Sequence, residues 1–244
     1  MSREDADVAS SSDRYAERFA GEVGAWFLEI QSELTLELLA GMPAGGRVVD
    51  VGGGHGQLVR PLHAAGFDLT VVGSAPICGA RVADDVGQGR CRFDVADLYD
   101  LPYPDRAFDV ALSFRLLAHV EDPARLVSEL CRVARRAVIV DYPSLRSVNL
   151  MAGLLYGLKS GVETNTRRFR VFRPASVRAL FEGEGFAVVG SRGQFALPMA
   201  LHRALRSATL ARALEAPLRA TRLTAAFGSP VIVRADRVLA GARG

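Results

Sequence analysis

Val48-Val49-Asp50-Val51-Gly52-Gly53-Gly54-His55-Gly56-Gln57-Leu58 is the stretch whose reading decides the fold. Arg47–Val51 is an apolar run of strand length, and the residues from Gln57 to Ala65 predict a helix. Between them lie glycines at 52, 53, 54 and 56. Glycine accepts positive φ and leaves room where a ligand must come close to the backbone. The helix start beyond it offers unpaired amide donors. Two cofactor loops of this kind fail to fit. The dinucleotide fingerprint G-x-G-x-x-G would need its third glycine at Gln57 counting from Gly52, or at Val59 counting from Gly54. A Walker loop needs Gly-Lys-Ser/Thr, a tripeptide this chain lacks.

The pattern that does fit is acid-x-Gly-x-Gly-x-Gly, met by Asp50, Gly52, Gly54 and Gly56. It resembles the first motif of class I S-adenosylmethionine (SAM)-dependent methyltransferases. The resemblance implies that Asp50 lies near the cofactor's amino group and that Gly52, Gly53, Gly54 and Gly56 make room for its methionine part. It extends over about residues 13–140. In the family a second acid ends strand two and binds the ribose hydroxyls. Here Val71-Val72-Gly73-Ser74-Ala75-Pro76 puts Gly73 at that place, leaving Ser74, water or backbone to meet the ribose. Asp97-Leu98-Tyr99-Asp100-Leu101-Pro102-Tyr103-Pro104-Asp105 and the following Phe108-Asp109 are similar to the family's third station. They imply that the Asp97 carboxylate accepts from the adenine amine and the Leu98 amide donates to the ring, which suits adenine's adjacent donor and acceptor. Phe114-Arg115-Leu116-Leu117-Ala118-His119-Val120-Glu121-Asp122-Pro123 is similar to the run after strand four in small-molecule methyltransferases. Ligands of open α/β sheets bind at the carboxyl ends of the strands, so Gly52, Ser74, Asp97 and Phe114 are expected around one crevice.

The rest of the chain alternates. Strands are predicted at 68–72, 90–95, 108–114, 137–140, 186–189 and 230–234, with helices at 76–84, 122–134 and 174–182 between them. That rhythm predicts an α/β fold, a Rossmann-like, doubly wound, seven-stranded and mostly parallel sheet with helices on both faces. Residues 1–12 read as a disordered tail, and 13–244 as a single domain. Within it, 13–46 forms an N-terminal helical cap, with Phe19, Val23, Trp26, Phe27, Ile30, Leu34 and Leu38 at helical spacing. Helical insertions after strands five and six, 144–172 and 195–226, are expected on the substrate side. Tyr15 and Arg18 are expected to close over the cofactor.

Methyl transfer needs an aligned nucleophile, and a base where that nucleophile carries a proton. His119 is the candidate base; the plainer reading is a histidine packed beside strand four. His55, His63, His119 and His202 have no metal-ligand spacing, so no metal is expected. Cys78, Cys91 and Cys131 are widely spaced and odd in number, which fits reduced thiols in a cytoplasmic protein. Residues 1–166 carry 16 basic and 23 acidic side chains, whereas 167–244 carry 14 arginines and four acids. This basic third fits a solvated face, an anionic or hydrophobic small-molecule methyl acceptor, or a membrane surface or homodimer contact through 199–222. Aromatic residues are not interleaved with the arginines as base stacking requires, which argues against nucleic acid. Gly73 keeps open a second reading, a catalytically silent SAM- or nucleoside-binding protein of the same fold.

Overall fold

The computed structural model describes residues 4–147 and 169–238. The strands are β1 (Arg47–Val51), β2 (Asp68–Gly73), β3 (Arg92–Val95), β4 (Phe108–Ser113), β5 (Ala134–Tyr142), β6 (Phe186–Gly193) and β7 (Val231–Arg237). They form one sheet in the order β3-β2-β1-β4-β5-β7-β6. The first five strands run parallel, while β7 lies antiparallel to both β5 and β6. The expected seven-stranded, mostly parallel sheet is therefore present. Its strand order turns back between β1 and β4, so their carboxyl ends, leading into Gly52 and Phe114, flank the crevice where such sheets hold ligands.

Covering both faces of a sheet demands nearly continuous apolar strands. Val49, Val51, Ala111, Val138 and Val140 join one core cluster, while Val48, Val110, Leu112, Ala137 and Ile139 join the other. The first cluster is closed by α6 (Pro123–Val133) and α7 (Pro174–Gly183). The second is closed by α3 (Gly21–Leu39) and α4 (Val59–Ala64), through Trp26, Phe27, Ile30 and Leu62. Asp122 caps α6 by accepting from the amides of Ala124 and Arg125, and Pro123 stands at its first turn, as the sequence predicts.

Several boundaries differ from the expected ones. The helical cap expected over 13–46 is interrupted at Gly21, whose φ is +72°. Before the break lie α2 (Asp13–Ala16) and a 3-10 turn, Glu17–Phe19. The helix expected over 76–84 divides into a 3-10 turn, Pro76–Val82, and α5 (Ala83–Gly87). β5 begins at Ala134 rather than at residue 137, because Arg135 and Arg136 extend to solvent and pair with Asp109. Residues 4–12, expected as part of a disordered tail, have defined structure. Ala6–Ser10 forms α1, and Glu4, Asp7 and Ser11 are buried. Acidic and small polar residues read as solvated in sequence; here their oxygens meet backbone amides of the sheet edge.

Of the two insertions, most of 144–172 lies outside the described residues. The other contains α8 (Met199–Leu205), α9 (Ala208–Ala220) and α10 (Leu223–Phe227). It docks on α3 through an aromatic cluster in which Trp26, Phe27 and Phe195 surround the His202 ring. His202 is fully buried and meets Glu215 at 3.0 Å. Glu215 also accepts from the amides of Ala196 and Leu197. Burial, the largest single influence, pushes its carboxyl up, but the imidazole and these amide bonds together outweigh it and hold the carboxyl below the usual range. Of the apolar stripe over 199–222, Leu201, Leu210 and Leu214 are exposed. Among the described residues no helix is long and apolar enough to cross a membrane.

Candidate functional site

The glycine turn begins where the β1–β2 ladder ends, with the Gly52 amide donating to Val72 O at 2.8 Å. Gly52 and Gly56 take φ of +76° and +77°. At Gly53 a Cβ would fall 2.2 Å from the Asp50 carboxyl, so the turn folds directly over that side chain. At Gly54 it would fall 2.3 Å from the carbonyl of Cys78. These positions require glycine for reasons of space as well as dihedral angle.

Gly73, where the family places an acid, is also closely packed. A Cβ there would lie 2.6 Å from Cys78 Cβ and 3.1 Å from the Phe93 ring. Packing of the β2 end against β3 therefore leaves no room for a carboxylate at 73. An acid reaches the next residue from elsewhere in the chain: the Ser74 amide donates to Asp7 Oδ2 at 2.7 Å.

The carboxyl ends of β1, β4 and β5 bring together Asp50, Arg115 and Asp141. Arg115 has φ +56°, a region that few residues with a side chain enter, and its amide donates to Asp141 Oδ1 at 2.6 Å. Its guanidinium stacks over Phe19 at 4.6 Å and Tyr15 at 5.8 Å. Burial raises the Asp50 carboxyl from 3.8 to about 7, and Arg115 opposes the rise. Burial likewise raises Asp141 to about 6, against the Arg115 amide and charge. Burial lowers His55 to about 3, helped by the charges of Arg115 and Arg81. His55 is thus a neutral imidazole, set edge-on to Phe19 and Tyr15 at 5.4 and 6.4 Å. Tyr15 and Arg18, stacked at 5.2 Å, lie over this turn.

Asp97 and Leu98 stand at the end of β3. The Tyr99 amide donates to Asp97 Oδ1 at 3.0 Å, so one carboxylate oxygen caps the turn. Leu98 is buried. The following Leu-Pro-aromatic-Pro-Asp stretch is fastened to α6 and does not enter the crevice. Leu101 N donates to Glu129, while Arg132 donates to Tyr103 O, Leu101 O and Asp105. This motif therefore acts as the anchor of the Asp97 loop. Phe114 points into the α3-side core. The His119 ring lies 5.5 Å from that of Phe169.

Eight of the eleven buried side-chain polar atoms without a hydrogen-bond partner among the described residues belong to Asp7, Ser11, Asp50, His55, Gln57, Ser74 and Arg115. Buried polar atoms are nearly always satisfied, and such a concentration at one crevice marks a place built for a polar ligand. A cavity of about 690 Å³ is lined by His63, Asp68 and Arg92. It lies at the amino ends of β1–β3, the wrong sheet edge for a ligand of this fold. Sequence reasoning missed Arg115, Asp141 and Asp7. The first two follow directly from the rule that strand carboxyl ends line the crevice; Asp7 carries no local signal.

The Asp50 shift has a measurable consequence. Its folded pKa is raised above the unfolded value. The associated stability is therefore present below about pH 4 and lost as pH rises through about 7, on the order of 4 kcal/mol. Asp50→Asn should remove that loss. Its melting temperature relative to wild type is expected to rise progressively between pH 4 and 8; a constant difference would refute the assignment.

A family model described as "Methyltransferase domain" matches residues 25–191, and the chain belongs to that family. The class I SAM-dependent methyltransferase resemblance of its motifs is thus borne out. Ajmaline N-methyltransferase of Rauvolfia serpentina is 43% identical over 47 residues, 19% of this chain and 16% of that protein. The 27-O-demethylrifamycin SV methyltransferase of Amycolatopsis mediterranei is 29% identical over 153 residues, 58% of this chain and 52% of that one. The matches thus span about half or less of these curated relatives' length. Magnesium protoporphyrin IX methyltransferase from Synechocystis PCC 6803, solved with bound SAH (S-adenosylhomocysteine), superposes with TM-score 0.66 at 17% identity, covering 93% of this chain and 94% of that one.

Proposed function

We propose that the protein binds SAM along the edge formed by Asp50, Gly52–Gly56, Ser74, Asp97 and Leu98. It then moves the methyl group to an O, N or C atom of a small hydrophobic or anionic acceptor. The observation that carries this reading is the convergence of unpartnered buried polar atoms on a glycine turn at the switch point of the sheet. The bound cofactor supplies an electrophilic methyl group. Ionised Asp50 receives its ammonium, and the unpartnered Arg115 nitrogen receives its carboxylate. His55, neutral at physiological pH, adds no repulsion toward the sulfonium. In this reading His119, whose ring meets that of Phe169, takes up the acceptor's proton if one must leave.

Calorimetric titration with SAH tests the cofactor assignment, and absence of binding at millimolar ligand overturns it. Asp97→Ala should weaken SAH binding about 10- to 100-fold, the worth of a hydrogen bond to a charged group. It removes a turn cap as well, so circular dichroism must show the fold retained. Unchanged affinity would place adenine elsewhere. The second reading, binding without catalysis, is favoured by Gly73. Incubation with methyl-labelled SAM and metabolite extracts separates the two by whether any labelled product forms.

A further inference from the structure

The residues proposed to hold the adenosine part of SAM are already in contact with this chain's own N-terminal segment. Asp7 Oδ2 accepts from Ser74 N at 2.7 Å, and Asp7 Cβ lies 3.5 Å from where a Cβ on Gly52 would sit. Ser11 Oγ lies 2.5 Å from the corresponding point on Gly54. Ala6 is 2% exposed and packs in the cluster containing Ala96, Leu98 and Leu116. Glu4 accepts from Tyr99 Oη at 2.8 Å and from the Glu121 amide at 2.9 Å. The segment touches the crevice from the Asp97 loop to the second motif glycine.

We propose that residues 4–11 are an intramolecular ligand of the cofactor crevice, which SAM must displace in order to bind. The proposal rests on the crevice being the SAM site. The Ser74 amide is already bonded to Asp7 and the Gly52 backbone is already packed by it, so SAM seated on those same groups must take the segment's place. The segment imitates the ligand in outline: Ala6 fills the apolar slot, and the Asp7 carboxylate takes up the Ser74 amide. The imitation is incomplete. Asp7 Oδ1, Ser11 Oγ and Ser74 Oγ stay buried with no nitrogen or oxygen partner; Asp7 and Ser11 have only the Cys78 thiol, a weak hydrogen-bonding group whose pKa burial and the Asp7 charge raise. Unsatisfied buried polar atoms weaken the closed state. A nucleoside offering hydroxyls and ring nitrogens to the same groups competes on favourable terms. Apparent cofactor affinity is then the intrinsic affinity reduced by the fraction of molecules with the segment out.

Amide hydrogen exchange of the full-length protein, with and without saturating SAH, reads the direction. Displacement predicts that amides of residues 4–11, among them Ser11 N bonded to Asp7 O at 2.8 Å, exchange faster with ligand. Slower exchange means the segment closes over the cofactor and contributes to its site, and overturns the proposal; so does no change. As a second arm, Ala6→Arg sets a long cation against the apolar slot and unseats the segment. Its SAH dissociation constant is expected to fall about tenfold or more. An equal or larger constant in a folded variant overturns the proposal. If neither wild type nor Ala6→Arg binds SAH, the cofactor reading itself fails. Binding by both, with unaltered exchange, removes only the displacement step.

Discussion

Arg115→Ala is expected to raise the dissociation constant for SAH about a hundredfold, close to the upper worth of a charged hydrogen-bonding pair. Binding of 5′-methylthioadenosine, which has no amino-acid group, should stay within about twofold. The contrast follows from what the guanidinium touches. It stacks over the Tyr15 and Phe19 rings, its charge is felt by both Asp50 and Asp141, and one of its nitrogens has no partner. It is therefore placed to receive the cofactor's carboxylate while Asp50 takes the ammonium. Arg115→Lys keeps the charge but loses the planar fork, so it should recover only part of the affinity. The alanine variant also strips two buried carboxyls of their cation, a cost of about 3–5 kcal/mol where they are ionised. Both already sit above the ordinary carboxylate range and will rise further without Arg115. The variant is thus relatively more stable below about pH 6, where they are protonated. Binding should be compared there as well as at pH 8. Equal weakening of both ligands would show that Arg115 maintains the crevice generally and holds no carboxylate.

What could be read in advance follows from how local each determinant is. The β1–turn–α4 unit was legible because each step is encoded within a few residues: apolar strand, glycines, helix start. The later strands were legible for the same reason, and their edges were not. Arg135 and Arg136 look like a loop in sequence, and only the neighbouring Asp109 makes them the start of β5. The motif Leu101–Asp105 was found, yet its work is structural: it ties the Asp97 loop to Glu129 and Arg132, residues about 30 positions away. The arginine-poor, acidic N-terminus was read as solvated because hydropathy assumes that carboxylates stay in water. Glu4 and Asp7 instead reach amide and hydroxyl donors 67 to 117 residues distant. Gly73 was noticed as a departure, but its cause, the Phe93 ring and Cys78 against β2, exists only in three dimensions.

Gly54→Val should remove detectable SAH binding at millimolar ligand, and the reason lies on two sides of the turn. Its Cβ would meet the Cys78 carbonyl at 2.3 Å and Ser11 Oγ at 2.5 Å. Ser11 can withdraw with the N-terminal segment; the Cys78 carbonyl belongs to the backbone that follows β2. Relief therefore comes from moving the residues 74–78 turn, which carries the Ser74 amide, or from lifting the glycine turn off Asp50. Either shift spoils the crevice, at a folding cost of about 1–3 kcal/mol for overpacking. A purely structural loss and a loss of the site are separable. Gly54→Ala adds the clashing Cβ and nothing more. It should weaken SAH binding at least about tenfold while melting within a few degrees of wild type, as about 1 kcal/mol implies for a chain of this size. Gly87→Ala is the control, since nothing lies within 4 Å of its Cβ position, and it should bind as wild type does. Wild-type affinity in Gly54→Ala would mean that the turn can yield without cost to the ligand. The crowding at Gly54 would then concern the fold, and the site would have to be sought away from the motif that first pointed to it.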